Sequence, residues 1–331
     1  MTLHQRITAF SSLRDYLLNG SSELEHSIQQ SIQHNPWFTE ESIKNVIEGI
    51  SVMLEKYKLE KWLSNYNIFE LPPKTISTIM AGNIPLVGFH DFLCVLITGN
   101  TIMAKLSSQD AYLLPHIADK LIEYNEAFKD RIIFVDKLDN IHAIIATGSD
   151  NSARYFEHYF NKYPNIIRKN RSSIAILEGN ESSESLQKLG ADIFQYYGLG
   201  CRNVSKIFVP ENYDFKHFFE SIESYSEVGN HNKYRNNYDY NRSIYLVNAV
   251  KHLDNGFLLV TENEKLVSPI SVLYYETYSS PEVLNEKLKY YNDKIQCIVS
   301  KTDISFGKAQ HPEPWDYADN IDTINFILSL N

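Results

Sequence analysis

Cysteine is scarce in this sequence: Cys94, Cys201 and Cys297 are three widely separated thiols among 331 residues. Their odd number and spacing exclude the disulfide framework of a small secreted domain and offer no C-x-x-C pair for zinc. Long apolar runs are missing too. The most hydrophobic stretch, 84–98, carries His90 and Asp91, short of the roughly 18 to 20 uninterrupted residues that a membrane span needs. Positive charge is in deficit. The 31 Lys and Arg against 41 Asp and Glu leave a net charge of −10, which gives nucleic acid no electrostatic grip. The N-terminus sets Arg6, Arg14 and Asp15 among its apolar residues, so no signal-peptide core forms and a cytoplasmic location is expected. The patterns H-E-x-x-H, G-x-S-x-G and G-x-G-x-x-G are absent, which disfavours a zinc protease, a serine hydrolase elbow and the usual dinucleotide loop. The eleven histidines show no metal-ligand spacing, and no metal is expected.

What is present is enough to fold. A 43% apolar content over this length suits a protein of two lobes, each with its own core. The first sixty-odd residues read as a helical cap. Apolar positions recur at three- and four-residue spacing in 7–18, and again in 43–63 after the acidic turn Glu40-Glu41. From Thr75 short β-branched runs alternate with amphipathic helices: strands at 76–80, 102–106, 132–135 and 143–147, helices around Phe92, at 113–124 and at 152–163. That alternation predicts a doubly wound parallel sheet. A second α/β block follows, with strands at 174–177, 207–209, 257–261, 270–275 and 297–299, and helices at 184–196, 215–225 and 283–291. The polar stretch 163–173 marks the boundary, giving a first domain 1–171, joined by a tail 311–331, and a second domain 172–310. The segment 230–242, dense in Asn, Tyr, His and Arg, reads as an irregular exposed excursion.

Four short motifs could carry chemistry. Gly198-Leu199-Gly200-Cys201 is a small-residue loop between a helix and a strand, open to a substrate carbonyl. A thiolate attacks carbonyls well and leaves well, and Arg202 and Lys206 are positioned in sequence to favour it. Taken alone, a lone cysteine is more often a small buried hydrophobe. Ala81-Gly82-Asn83-Ile84-Pro85 ends a strand, where open α/β sheets place ligands and where an Asn amide can meet an oxyanion; a plain turn is the competing reading. Lys105 ends a strand and could meet a ribose or phosphate, or simply be solvated. Thr147-Gly148-Ser149-Asp150 opens a helix whose N–H groups could hold a pyrophosphate, as could any N-cap. His90 reads as a hydrogen-bonded core residue rather than a base. The tail from Phe306 to Asp319 either closes over a cleft or packs as an ordinary terminus.

In order, these pieces resemble the aldehyde dehydrogenase superfamily, and most closely its acyl-CoA reductase branch, the fatty acid reductases of the bacterial luminescence type. The likeness runs from Asn35-Pro36-Trp37-Phe38 to the C-terminus. It rests on Ala81 to Pro85, Gly99-Asn100 with Lys105, Thr147-Gly148-Ser149, Tyr196 to Asn203, and Gln310 to Asp319. It implies an aldehyde dehydrogenase-like α/β fold of two doubly wound lobes with the active site between them. Cys201 would be the nucleophile, Asn83 with the Cys201 N–H the oxyanion hole, and Lys105 with Ser108, Thr147, Gly148 and Ser149 the nicotinamide dinucleotide site. The implied activity is NAD(P)H-dependent reduction of an acyl-CoA, a fatty acyl-CoA above all, to the aldehyde through a Cys201 thioester, with release of CoA.

Two departures refine this. Relatives that hydrolyse their thioester carry a glutamate where Ile176 stands, and Glu178 reaches that place only if the register slips by two. Lack of a water-activating base fits thioester exchange with CoA. NAD-preferring relatives often place a glutamate three residues after the lysine, where this chain has Ser108; the small hydroxyl leaves room for a 2′-phosphate and favours NADPH, with NADH open. The chain is shorter than a typical aldehyde dehydrogenase, so the oligomerisation arm is reduced or absent and a homo-oligomer stays open, as do acyl-supplying partner enzymes. Phe89, Phe92 and Tyr197 are the candidate lining of an acyl tunnel. Two other readings stand beside this one: a non-redox cysteine acyltransferase or thioesterase, and a degenerate relative serving as a binding module, for which Ala153, where relatives often have glycine, counts as drift.

Overall fold

Polar residues at helix starts and apolar stripes behind them set the first elements of the computed structural model, which describes residues 1–330. Helix α1 (Leu3–Asn19) begins with a capping box in which the Thr2 hydroxyl accepts from the Gln5 N–H while the Gln5 side chain accepts from the Thr2 N–H. It buries Ile7, Phe10, Leu13 and Leu17, one face at helical spacing. Helices α2 (Ser22–His34), α3 (Glu40–Met53) and α4 (Lys56–Leu63) complete the cap. The 43–63 run is thus two helices; the apolar period passes through the break because Met53, Leu54, Leu59 and Trp62 are all buried.

The chain divides into two compact units, residues 1–170 with 312–330, and residues 171–311. In the first, β1 (Thr75–Ile79), α5 (Phe89–Ile97), β2 (Thr101–Lys105), α6 (Leu113–Tyr124), β3 (Ile132–Phe134), β4 (Ala143–Thr147), α7 (Asp150–Phe160) and β5 (Asn165–Arg168) alternate as expected. Their sheet is parallel, in the order β3-β2-β1-β4-β5, with Ile76 beside both Ile102 and Ala143. Chain direction across the sheet reverses at β1 and β4, so the loops after these two strands flank the switch point where such sheets take ligands. The stretch read as a boundary contains β5, paired along its length with β4.

The second unit holds β6 (Ser172–Ile176), α8 (Ser183–Phe194), β7 (Val204–Pro210), α9 (Phe215–Ser221), α10 (Asn232–Val247), β8 (Leu253–Asp254), β9 (Leu259–Glu262), β10 (Val272–Tyr278), α11 (Pro281–Tyr291) and β11 (Ile295–Val299). Its sheet runs β11-β6-β7-β10-β9-β8, parallel except where β8 meets β9. One sequence expectation fails here: 230–242 is no irregular excursion but most of α10, described in the Discussion. Residues 312–330 return to the first unit through α12 (Thr323–Ser329). There Tyr317 accepts from the Trp62 indole N–H at 2.8 Å and meets the Tyr66 hydroxyl at 2.7 Å, so this part of the tail is packed structure. Among the described residues no helix is long and apolar enough to cross a membrane.

Candidate functional site

Cys201 lies on the turn between α8 and β7 and is exposed. Its loop is held from both sides. Tyr196, Tyr197 and Gly198 take φ of 53°, 58° and 78° in succession, a left-handed reversal after α8. Asn203 then clamps it: its amide donates to the carbonyls of Asp192 (3.1 Å), Ile193 (3.2 Å) and Gln195 (2.7 Å), the open end of α8. The same side chain accepts from the Gly200 N–H at 2.8 Å. Ser173 donates to the Cys201 carbonyl at 3.0 Å. The thiol is therefore presented by a loop whose backbone is fixed by buried groups.

A second anchor comes from 307–309. Asp192, fully buried, accepts from the N–H groups of Gly307 (2.6 Å) and Ala309 (2.9 Å), and Arg202 donates through Nε to the Ala309 carbonyl. Burial pushes the Asp192 carboxyl up to about 6, against the pull of those N–H groups and of Arg202. Lys206 has a different part from the one expected of it. It is fully buried, and its ammonium is held by Glu276 and by the carbonyls of Asn263 (2.9 Å) and Glu264 (3.0 Å), so its charge is balanced within the β7–β10 layer rather than by Cys201. Ile176 ends β6 among apolar neighbours, and the Glu178 carboxylate is paired with Lys301.

The other expected residues lie in the first unit, at the carboxyl edge of its sheet. Asn83, half-buried, follows β1; Lys105, exposed, ends β2 beside Ile79; Ser108, exposed, follows it. Gly82 brings these loops together, since a Cβ there would lie 2.5 Å from the Ser107 hydroxyl. Asp110 ties them further: it accepts from the N–H of Leu86, itself at φ 53°, at 2.6 Å, and burial pushes its carboxyl up to about 6. Asp110 was not anticipated; its only sequence signal is an Asp a few residues beyond a strand end. Thr147 ends β4, and Ser149 caps α7 by accepting from the Ser152 N–H at 3.2 Å. At Gly148 a Cβ would come within 2.9 Å of the Phe156 ring, so the strand-to-helix turn is open only to glycine. An exposed lysine, a bare glycine turn and a helix N-terminus, all at the edge that bears the switch point, suit a dinucleotide's phosphates and ribose.

His90 is buried, bonded through Nε2 to the Pro314 carbonyl at 2.8 Å and stacked on Trp62, with burial lowering its pKa, as befits a core residue. Phe89 and Phe92 are likewise buried in the first unit's core. Tyr197 stays beside Cys201 in sequence and packs its ring 4.2 Å from that of His231.

Comparison with known proteins adds the following. The model of the family described as "Acyl-CoA reductase (LuxC)" matches residues 10–225. No curated protein sequence matches. Among solved structures, an aldehyde dehydrogenase from Bacillus cereus in complex with NAD+ is similar at a TM-score of 0.62 and 15% identity, over 91% of this chain and 72% of that one. An NAD-dependent aldehyde dehydrogenase from Sinorhizobium meliloti gives 0.68 at 11% identity, over 91% and 71%. An NADP-dependent enzyme from E. coli gives 0.66 at 10% identity, over 100% and 76%. The fold is that of the aldehyde dehydrogenases.

Proposed function

Because the chain belongs to the acyl-CoA reductase (LuxC) family, we propose that it reduces an acyl-CoA to the aldehyde with a nicotinamide cofactor, through a thioester on Cys201. The observation that carries this is the exposed thiol on a loop locked by Asn203, Asp192 and Ser173. The thiolate attacks the acyl carbonyl, forming the Cys201 C–S bond as the bond to CoA breaks and the CoA thiolate leaves. Asn83 donates its amide to the oxyanion that develops on that carbonyl. When bound, the nicotinamide supplies hydride to the acyl carbon. The Cys201 C–S bond then breaks, releasing the aldehyde and restoring the thiolate. Lys105 and the Thr147-Gly148-Ser149 turn hold the dinucleotide; the Bacillus cereus, Sinorhizobium meliloti and E. coli neighbours, each described with NAD or NADP, support a nicotinamide cofactor. Ile176 in place of a base, with Glu178 held by Lys301, supports transfer to and from thiols over hydrolysis.

The test is purified protein with NADPH and acyl-CoAs of graded length, followed by absorbance loss and aldehyde formation. Wild type should turn over and acquire label from labelled acyl-CoA, and Cys201→Ala should do neither. Equal turnover by the two proteins would remove the thiol from the mechanism. For the preference we assign to NADPH, Ser108→Glu should raise KM for NADPH at least about tenfold while sparing NADH, since a carboxylate there repels a 2′-phosphate.

A further inference from the structure

The first unit carries a polar cavity at the amino edge of its sheet, opposite the edge that bears Asn83 and Lys105. It encloses about 120 Å³ and is lined by Arg6 of α1, by Phe69, Glu70 and Leu71 ahead of β1, by Thr98 to Asn100 ahead of β2, and by Arg131 ahead of β3. Arg6 is 3% exposed. Its guanidinium donates through Nε to the Ile97 carbonyl at 2.7 Å and through Nη1 to the Met1 carbonyl at 2.6 Å, while Nη2 has no hydrogen-bond partner. No carboxylate among the described residues comes within ion-pairing distance of it. Arg131 adds a second positive charge at the same cavity, and Glu70, exposed, is the one carboxylate on its lining.

A buried guanidinium cannot shed its proton and is costly to leave without an anion. The neighbouring polar groups are largely engaged elsewhere: the Thr98 hydroxyl donates to the Cys94 and Val95 carbonyls, and the Asn100 amide donates to Thr98 and accepts from the Lys74 N–H. Gly99, at φ 89°, lets the guanidinium lie against the backbone, where a Cβ would stand 3.0 Å from Nη1. The cavity is small, and the unpartnered Arg6 Nη2 and the Arg131 guanidinium on its lining are charged donors of the kind that hold oxyanions. We propose that it is a binding site for a phosphate-class oxyanion, held by Arg6 and Arg131 and joining α1 to the turns before β1, β2 and β3. The cavity lies at the amino ends of the strands whose carboxyl ends bear Asn83 and Lys105, and the proposal does not rest on the reaction assigned to those residues.

The experiment is calorimetric titration of the full chain, in a non-phosphate buffer at constant ionic strength, with inorganic phosphate and with glycerol phosphate, alongside melting curves. Saturable one-to-one binding with a rise in melting temperature is expected. Binding of inorganic phosphate alone identifies a free anion, and equal binding of both identifies the phosphate group of a larger molecule. Arg131→Gln, at the half-exposed wall where folding is not at stake, should weaken binding about tenfold or more. Arg6→Gln should abolish it, and Glu70→Gln should tighten it. Absence of saturable binding by either anion, or unchanged affinity in Arg131→Gln, overturns the proposal. Because the readout is binding and melting, loss of turnover in Cys201→Ala leaves it untouched.

Discussion

Asn203 shows how much of the Cys201 loop depends on one amide. Three carbonyls and one N–H converge on it, so Asn203→Ala should cost about 3 kcal/mol in chemical denaturation and lower thiol labelling selectivity at Cys201, as buried partners lose their bonds. An unchanged midpoint would show that water replaces the amide without penalty. Asp192 gives a pH signature. Its folded-state carboxyl sits near 6, above the ordinary carboxylate value of roughly 3.9, so the folded chain binds the proton more tightly than the unfolded one. The stability this supplies is complete below about pH 4 and is lost as pH rises through about 6. Asp192→Asn, compared with wild type in melting curves across that window, should show a flatter slope; identical slopes would mean that Asp192 does not titrate there. At this scale the exposed loop that carries Cys201 was legible because its small residues are local in sequence. Asp192 was not, because its partners are backbone N–H groups 115 and 117 residues away, and Lys206 was misjudged because nearness in sequence says nothing of which partner a strand side chain meets.

Elements were legible in proportion to how apolar their buried faces are. Four of the five strands of the first sheet, such as 143–147, are β-branched or alanine-rich and stood out, with ends within a residue of those expected; β5 was not seen, because it lies in the stretch read as the boundary. Helix α2 falls within the stretch read as a helical cap but had no bounds of its own, because half its buried stripe, Leu24, Ser27, Ile28 and Ser31, is serine. Helix α10 was misread for a related reason. Its buried residues are Tyr234, Tyr238 and Asn241, spaced as one helix face, and each sends a polar tip to a partner: Phe257 O at 3.0 Å, an Asp254 carboxylate oxygen at 2.6 Å and Ile270 O at 3.0 Å. A stripe of that kind gives almost no hydropathy period. Tyr234→Ala should accordingly cost about 3–5 kcal/mol, the price of a large aromatic in a core, and a surface-like loss below about 0.5 kcal/mol would restore the reading of an exposed excursion. Close packing makes a further prediction for α8. A Cβ at Gly190 would stand 2.3 Å from the Tyr225 ring, so Gly190→Ala should destabilise by about 1–3 kcal/mol in urea unfolding.

Over the whole molecule, the alternation of strands and helices pointed to two α/β units, because β1, β2, β4, β6, β7 and β10 each lead into a helix. The C-terminal tail was left between two readings, since aromatics and carboxylates serve a lid and a packed terminus alike. Its role is fixed by partners far away in sequence: Arg168 of β5, buried, is ion-paired with Asp91 of α5 at 2.5 Å and donates to Thr323 of α12 at 3.1 Å. Asp91→Ala leaves that guanidinium without its carboxylate and should cost about 3–5 kcal/mol, whereas replacing Asp91 and Arg168 together by Leu and Met should cost less.

The return of 312–330 to the first unit also sets a timetable. On the ribosome, residues 1–170 emerge first, yet Trp62, Tyr66 and Arg168 wait for Tyr317, Asp322 and Thr323. The second unit, contiguous in sequence, has all its residues before those partners are made. The half synthesised first is therefore the half finished last, and its uncovered aromatic surface is what a chaperone would meet on the nascent chain.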